Sequence, residues 1–298
     1  MEGRESGDHE RRGACPAAMA AGAILPAASF ILLRRWRERV MPRRDPRVPF
    51  VEFRLLSGDG TPICVRRLGE RLGEAVVVAH PAVTGQRYAP LVELAELLCS
   101  RFSVYTFDFR GHGSSGGRLE IGLQGPVEDL GAVVRHAREH GHRWVGVVGF
   151  SLGGMAALVR AALHGDLDAV VAVSAPPVFP DVEAYRRWLP LWSLFLRFLG
   201  ARFRPVGPSG PAPLDVAERL PDVPLLLVHG AREAFYRRED LDRFMESAGK
   251  RPELWVLEGA AHTELAGREP DLLRWLEKEA EARGPAVDGN PPTDLDSI

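Results

Sequence analysis

The chain has 298 residues, of which 45% are hydrophobic and 26% charged, and its formal net charge is −2. This composition suits one globular domain, or at most two small ones, and gives no electrostatic reason to expect a nucleic-acid partner. Three cysteines, Cys15, Cys64 and Cys99, show neither metal-ligand spacing nor a disulfide framework. We therefore expect no metal site and a reducing compartment.

The N-terminal extension, residues 1–47, contains an uncharged stretch at residues 13–33. As a helix this stretch would span about 31 Å, close to the hydrocarbon thickness of a bilayer. Few of its residues are strongly apolar, so insertion is marginal. Arginines follow at six positions between 34 and 44, and the positive-inside rule predicts a cytoplasmic domain anchored to the inner face of the membrane. An interfacial helix, a flexible extension, a cleaved signal peptide and an upstream start-site artefact before Met41 stay open as alternatives.

Strand and helix signals alternate over residues 48–283, the predicted folded domain, whereas residues 284–298 read as a disordered tail. An antiparallel hairpin followed by repeated β-α units predicts the α/β class, with a mostly parallel twisted sheet and helices on both faces. The predicted strands are Phe50–Leu56, Thr61–Leu68, Ala75–Ala79, Val104–Phe107, Trp144–Val148, Ala169–Val173, Leu225–Val228 and Leu254–Leu257. The predicted helices are Pro90–Ser100, Val127–His140, Met155–Leu163, Asp240–Ala248 and Asp271–Ala282.

An insertion at residues 176–221 interrupts that alternation. It contains a strongly apolar helix, Trp188–Leu199, and then a loop with several prolines, Pro205, Pro208, Pro211 and Pro213. The helix either packs on the core or forms a small cap over a site, and both can hold at once. In the cap interpretation, aromatic side chains contact an apolar group of the substrate. The predicted contacts are Trp188, Trp192 and Phe195.

The segment Gly149-Phe150-Ser151-Leu152-Gly153 lies between an apolar strand and an alanine-rich helix. The turn between them is tight, and a side chain at Gly149 or Gly153 would strike the neighbouring strand or helix. Such a turn presents the Ser151 hydroxyl as a nucleophile. It also places the Leu152 N–H and the positive helix end beside it, as a tetrahedral oxyanion requires. The alternative is a helix N-cap serine in an ordinary β-α turn.

A serine nucleophile needs a base within hydrogen-bond reach, and the base needs an acid that orients it. His262 follows the last predicted strand, at the sheet edge where ligand sites gather, and is the predicted base. Glu233, the first carboxylate past the strand Leu225–Val228, is the predicted acid. Glu239 and Asp240 are lesser candidates for that role, and a surface carboxylate is the alternative interpretation of Glu233.

A second oxyanion donor is expected from the loop after the strand Ala75–Ala79, which begins with His80. Pro81 has no N–H, so the Ala82 N–H is the predicted donor, with the Val83 N–H as the alternative. We interpret His112, on a turn after a strand, as structural. Four further histidines lie on or after helix ends and are interpreted as solvated: His136, His140, His142 and His164.

Five stretches taken in this order resemble the α/β-hydrolase superfamily over roughly residues 48–283. They are His80-Pro81, Asp108–Ser115, Gly149–Gly154, His229–Glu233 and Gly259–His262. The resemblance is to the esterase, monoacylglycerol-lipase and serine-aminopeptidase-like branch. The chain departs from that pattern at Pro81, where the family usually has Gly, and at Glu233, where it most often has Asp.

This resemblance implies a serine hydrolase, without a cofactor, that cleaves carboxylic esters of apolar acids through a triad and an acyl-enzyme. The expected partner is thus a small-molecule ester, with membrane association through residues 13–33 left open. Two alternatives remain at this stage. One is an acyltransferase that uses the same acyl-enzyme, and the other is a catalytically silent protein that binds a ligand or partner.

Overall fold

The computed structural model describes residues 35–179, 201–249 and 252–282. Contacts group the chain into two units, Met1–Pro42 and Arg43–Ile298. In the first unit, residues 35–40 form a short helix. The candidate anchor at 13–33 and the predicted tail at 284–298 lie outside the described residues. Within the described ranges, no helix is long and apolar enough to cross a bilayer.

The second unit is built on an eight-stranded sheet and a smaller two-stranded one. The strands are β1 (Phe50–Leu56), β2 (Pro62–Leu68), β3 (Glu74–Ala79), β4 (Ser103–Phe107), β5 (Leu119–Gly122), β6 (Trp144–Phe150), β7 (Ala169–Val173), β8 (Phe203–Ser209), β9 (Leu225–Gly230) and β10 (Glu253–Leu257). The large sheet has the order β1-β2-β4-β3-β6-β7-β9-β10. In it, β2 is antiparallel to β1 and β4, and all other neighbours are parallel.

Helices cover both faces of this sheet. They are α1 (Ala89–Leu98), α2 (Gln124–Glu139), α3 (Leu152–His164), α4 (Arg238–Ser247) and α5 (Glu269–Ala282), with a 3₁₀ helix at Pro213–Arg219. One hydrophobic core contains α2, α3 and α4, and the other contains α1 and α5. Along β3, Val77 faces the first core, whereas Val76 and Val78 face the second. A strand buried on both faces reads as a continuous apolar run, and the predicted α/β fold class is confirmed.

Two expectations from the sequence were wrong. The segment around Pro205 and Pro208 was expected to be a loop, but it lies in β8, which pairs in parallel with β5. A two-stranded sheet leaves one side of each strand unpaired, and there proline's missing N–H costs no ladder hydrogen bond. His142 was expected to be solvated, but it is buried and its Nε2 lies 3.1 Å from the Tyr105 hydroxyl.

Candidate active site

Ser151 occupies the turn between β6 and α3 at the centre of the sheet. Its φ of 50° lies in the left-handed region, and its side chain makes no capping hydrogen bond, unlike an ordinary N-cap serine. A Cβ on Gly149 would lie 2.3 Å from the Gly153 carbonyl oxygen, and one on Gly153 would lie 2.3 Å from the Ala79 carbonyl oxygen. The requirement for glycine at both positions is thereby confirmed.

Glu233 and His262 are in direct hydrogen-bond contact. Glu233 follows β9, His262 follows β10, and the His262 Nδ1–H donates to Glu233 Oε2 at 2.7 Å. The other carboxylate oxygen accepts the N–H groups of Ala234 and Phe235 at 2.9 and 2.8 Å. A carboxylate only accepts, so the neutral imidazole carries its proton on Nδ1 and presents Nε2 as the basic nitrogen.

The Glu233 side chain is only 2% exposed, yet its carboxylate is ionised. Burial by itself raises the pKa of Glu233. The hydrogen bonds from His262 and from the Phe235 N–H, together with the nearby Ser174 hydroxyl, outweigh burial and hold the pKa below its ordinary value. A charged acid beside His262 stabilises the imidazolium that forms when this histidine accepts a proton.

Hydrogen bonds connect the end of β6, the end of β7 and the loop after β10 at one edge of the sheet. The Ser151 N–H donates to the Val173 carbonyl at 2.9 Å, and Val173 is the last residue of β7. The next residue, Ser174, accepts the Thr263 N–H on its Oγ at 3.1 Å. The turn that carries Ser151 is thus connected, through the end of β7, to the loop that carries His262.

The loop after β3 holds the predicted oxyanion donors. Val83 has a φ of 63°, which is rare for a β-branched residue, and its N–H donates to His112 Nε2 at 3.2 Å. The Val83 N–H, the alternative oxyanion donor, is therefore already engaged in a hydrogen bond. The N–H groups of Ala82 and of Leu152, at the first turn of α3, donate to no other residue in the part of the chain that the structure describes.

Two buried histidines join this loop to the loop after β4. His80 accepts the Phe109 N–H on Nε2 at 2.9 Å, and its Nδ1–H donates to the Pro81 carbonyl at 2.7 Å. His112 accepts from Val83 and donates from Nδ1 to the Arg110 carbonyl at 3.1 Å. Burial lowers the pKa of His112 to about 3, so it is neutral and its acceptor nitrogen is free for Val83.

The other predicted site residues fall into two groups. Trp188, Trp192 and Phe195 lie outside the described residues. Glu239 and Asp240 lie in the first turn of α4, and no hydrogen bond among the described residues joins either of them to His262. Nor do the described His, Cys, Asp and Glu side chains form any group of three or more that could hold a metal ion.

Two residues next to the pair escaped the sequence interpretation. The Phe235 ring packs against the His262 imidazole in a tilted arrangement with centroids 4.2 Å apart, and Phe235 is 71% exposed. Ser174 contacts the loops of both His262 and Glu233. A phenylalanine two residues after a candidate acid is a weak sequence signal that could have pointed to Phe235. A single serine after an apolar strand offers no comparable signal.

A strained serine turn and an acid–histidine pair at the carboxyl edge of a parallel sheet are features of the α/β-hydrolase class. Residues 73–219 match the family described as serine aminopeptidase, S33. This match over about half of the chain, together with the fold, supports the resemblance to the α/β-hydrolase superfamily. No curated protein matches the chain significantly.

Solved structures share the fold at low sequence identity. An esterase from Pyrococcus furiosus is 22% identical with a TM-score of 0.60, over 78% of this chain and 91% of its own. An α/β-hydrolase from Penicillium sp. sh18 is 17% identical with a TM-score of 0.66, over 79% and 99%. A serine hydrolase without a lid from Xanthomonas campestris is 19% identical with a TM-score of 0.55, over 82% and 100%.

Proposed function

We propose that this protein is a serine hydrolase that cleaves carboxylic esters, with Ser151 as nucleophile, His262 as base and Glu233 as orienting acid. The observation that carries the proposal is the 2.7 Å hydrogen bond between Glu233 and His262, at the sheet edge where Ser151 occupies its strained turn. Similarity to the Pyrococcus furiosus esterase supports ester hydrolysis as the reaction class.

The reaction follows from the proton positions in the pair. His262 Nε2 removes the hydroxyl proton as Ser151 attacks the ester carbonyl, while Glu233 stabilises the resulting imidazolium. The N–H groups of Ala82 and Leu152 donate to the oxyanion. His262 then returns the proton to the leaving alcohol, and a water molecule activated by the same nitrogen cleaves the acyl-enzyme. Apart from this water molecule, the steps use only side chains and backbone N–H groups of the chain.

The substrate is proposed to be a small-molecule ester with an apolar acyl group. An aromatic ring, that of Phe235, lies exposed against the base, which favours an apolar substituent beside the reacting carbonyl. Comparing p-nitrophenyl acetate, butyrate and octanoate tests this choice, and kcat/KM is expected to rise with chain length. A preference for acetate would contradict the apolar acyl group but not the reaction class.

The nucleophile is tested with p-nitrophenyl esters and with a fluorophosphonate probe that labels active serines. We expect Ser151→Ala to lose about 10³-fold or more in kcat and to lose labelling altogether. Ser100→Ala, which removes an exposed hydroxyl at the end of α1, is the matched control and should retain full activity. Equal rates for the wild type and Ser151→Ala would reject the proposal.

A further inference from the structure

Ser174 is a buried serine next to the acid–histidine pair, and the mechanism above leaves it without a role. It directly follows β7 and is only 1% exposed. Its backbone N–H donates to the Val228 carbonyl at 2.8 Å, which extends the pairing of β7 with β9 by one residue. Its side chain is thereby held at the point where the loops after β9 and β10 meet.

The hydroxyl of Ser174 lies between those two loops. Its Oγ accepts the N–H of Thr263, the residue after His262, at 3.1 Å. It also lies beside the carboxylate of Glu233, and this proximity helps to hold the pKa of that carboxylate below its ordinary value. A hydroxyl has one hydrogen to donate, and because the Thr263 N–H occupies an acceptor position, that hydrogen is available for Glu233.

The backbone on both sides of the hydroxyl is in an unfavourable conformation. Ser174 has a φ of 49° and Thr263 a φ of 65°, in the left-handed region that residues with side chains seldom adopt. Such conformations persist only where surrounding contacts impose them, and they cluster at functional sites. Here the Oγ–N hydrogen bond joins the two strained residues directly.

We propose that Ser174 is a positioning residue, whose one hydroxyl holds the Glu233 loop and the His262 loop in the register that aims the His262 imidazole at Ser151. This inference rests on the proposed function, for its consequence is a faster reaction of Ser151. A small displacement of a base from its reactive geometry costs rate and leaves substrate binding largely unchanged. The signature is thus a fall in kcat at constant KM.

The test compares two substitutions at this position with a matched control. Ser174→Ala and Ser174→Gly both remove the hydroxyl, but Gly also relieves the left-handed backbone. Ser103→Ala removes another fully buried hydroxyl, one that donates to the Arg71 carbonyl at 2.7 Å, away from the site. Thermal unfolding checks that each variant folds. If Ser174→Ala does not fold, Ser174→Gly still tests the loss of the hydroxyl.

We expect kcat for a p-nitrophenyl ester to fall about tenfold in both Ser174 variants, with KM within twofold of the wild type. The fluorophosphonate labelling rate of Ser151 should fall in parallel, and Ser103→Ala should match the wild type. Wild-type kcat in both Ser174 variants would overturn the inference. Wild-type kcat in Ser174→Gly alone would also overturn it, because the defect of Ser174→Ala would then lie in backbone strain. An equal loss of kcat in Ser103→Ala would overturn it as well.

A second readout does not depend on turnover. The His262 Nδ1 proton, held by Glu233, should give a far-downfield proton NMR signal that is sharp in the wild type and in Ser103→Ala. The signal should broaden by exchange with water in both Ser174 variants, and an unchanged signal would overturn the inference. If the wild type neither cleaves esters nor labels, the proposed function fails, and this signal still decides whether Ser174 positions the pair.

Discussion

At the scale of single residues, Glu233 divides its carboxylate between two tasks. One oxygen binds His262, and the other accepts the N–H groups of Ala234 and Phe235, which shape its own loop. Aspartate is one methylene shorter and cannot reach both sets of donors from the same backbone position. The glutamate is therefore matched to this loop and is not interchangeable with the residue more usual in the family.

Substitutions at Glu233 test this match. Glu233→Gln loses the charge and the fixed imidazole tautomer, and kcat/KM should fall about 10³- to 10⁴-fold. Glu233→Asp keeps the charge but not the reach, and we expect a loss of about 10- to 100-fold. Steady-state kinetics on one ester measure both. Glu258→Gln, an exposed carboxylate before the His262 loop, is the control, and full activity in Glu233→Asp would contradict the argument.

Phe235 packs against the His262 ring and restricts its position. Its ring lies 4.2 Å from the His262 ring, and an aromatic contact of this kind is worth about 0.5–1.5 kcal/mol. Phe235→Ala should accordingly lower kcat/KM about 2- to 12-fold, whereas Phe235→Tyr, which keeps the ring, should stay near the wild type. Leu72→Ala removes a similarly exposed apolar side chain elsewhere and should have no effect. Equal losses in the Ala and Tyr variants would show that ring packing is not the cause.

At the scale of elements, the strand-to-helix turn reverses a general rule. Replacing glycine by alanine inside a helix usually stabilises by about 1 kcal/mol. In α3, however, a Cβ on Gly153 would lie 2.3 Å from the backbone oxygen of Ala79 in β3. Backbone cannot move aside as a flexible side chain can. We therefore expect Gly153→Ala to destabilise the fold by about 3 kcal/mol and to abolish labelling of Ser151.

Urea unfolding of Gly153→Ala measures this cost. The control is Gly58→Ala in the β1–β2 hairpin turn, where a Cβ would meet nothing within 4 Å, and its stability should stay within about 0.5 kcal/mol of the wild type. A Gly153→Ala variant that is more stable than the wild type would mean that helix propensity outweighs the close approach of α3 to β3.

The large sheet could be predicted from the sequence because its strands are strongly apolar runs with clear boundaries. The bounds of Phe50–Leu56 and Ala169–Val173 were predicted to the residue, and other boundaries moved by a few positions. The small sheet could not be predicted. Its strands Leu119–Gly122 and Phe203–Ser209 are far apart in sequence, one contains prolines, and only tertiary pairing makes them strands.

Sequence order and strand ends suffice to nominate Ser151, Glu233 and His262, because parallel strands bring their carboxyl ends to one edge. The same logic does not reach Ser174 or the contact between Val83 and His112. Those contacts depend on backbone φ values and on which side-chain atom faces a loop. Neither property follows from residue type, so the residues that orient the site emerge only from coordinates.

At the scale of the whole molecule, several histidines are buried in neutral form. His80 and His112 are fully buried at the loops after β3 and β4, and His142, three residues after α2, is 4% exposed. Burial lowers the pKa of His112 to about 3 and that of His142 to about 4, and it also lowers the pKa of His80. In the unfolded chain a histidine has a pKa near 6.5 and binds a proton below that pH. In the folded state each of these three histidines stays unprotonated at the same pH.

This difference makes the fold sensitive to mild acid. Because the unfolded state binds more protons below pH 6.5, the free energy of unfolding falls as the pH drops from 6.5 towards 3. Each fully buried histidine should contribute a loss of about 2 kcal/mol between pH 7 and pH 5. Carboxylates with lowered pKa values, such as Glu96 at about 2, add to the loss only below pH 4.5, and the histidine effect is therefore separable.

Urea unfolding at pH 7, 6 and 5 measures the effect, and His112→Gln assigns it. Glutamine cannot be protonated, yet its side-chain oxygen can still accept the Val83 N–H. We expect this variant to lose about 2 kcal/mol less than the wild type between pH 7 and pH 5. His164→Gln, an exposed histidine at the end of α3, should leave the pH dependence unchanged. A wild-type stability that is constant from pH 7 to pH 5 would mean that the buried histidines acquire protons in the folded state. Water would then reach the loop after β3.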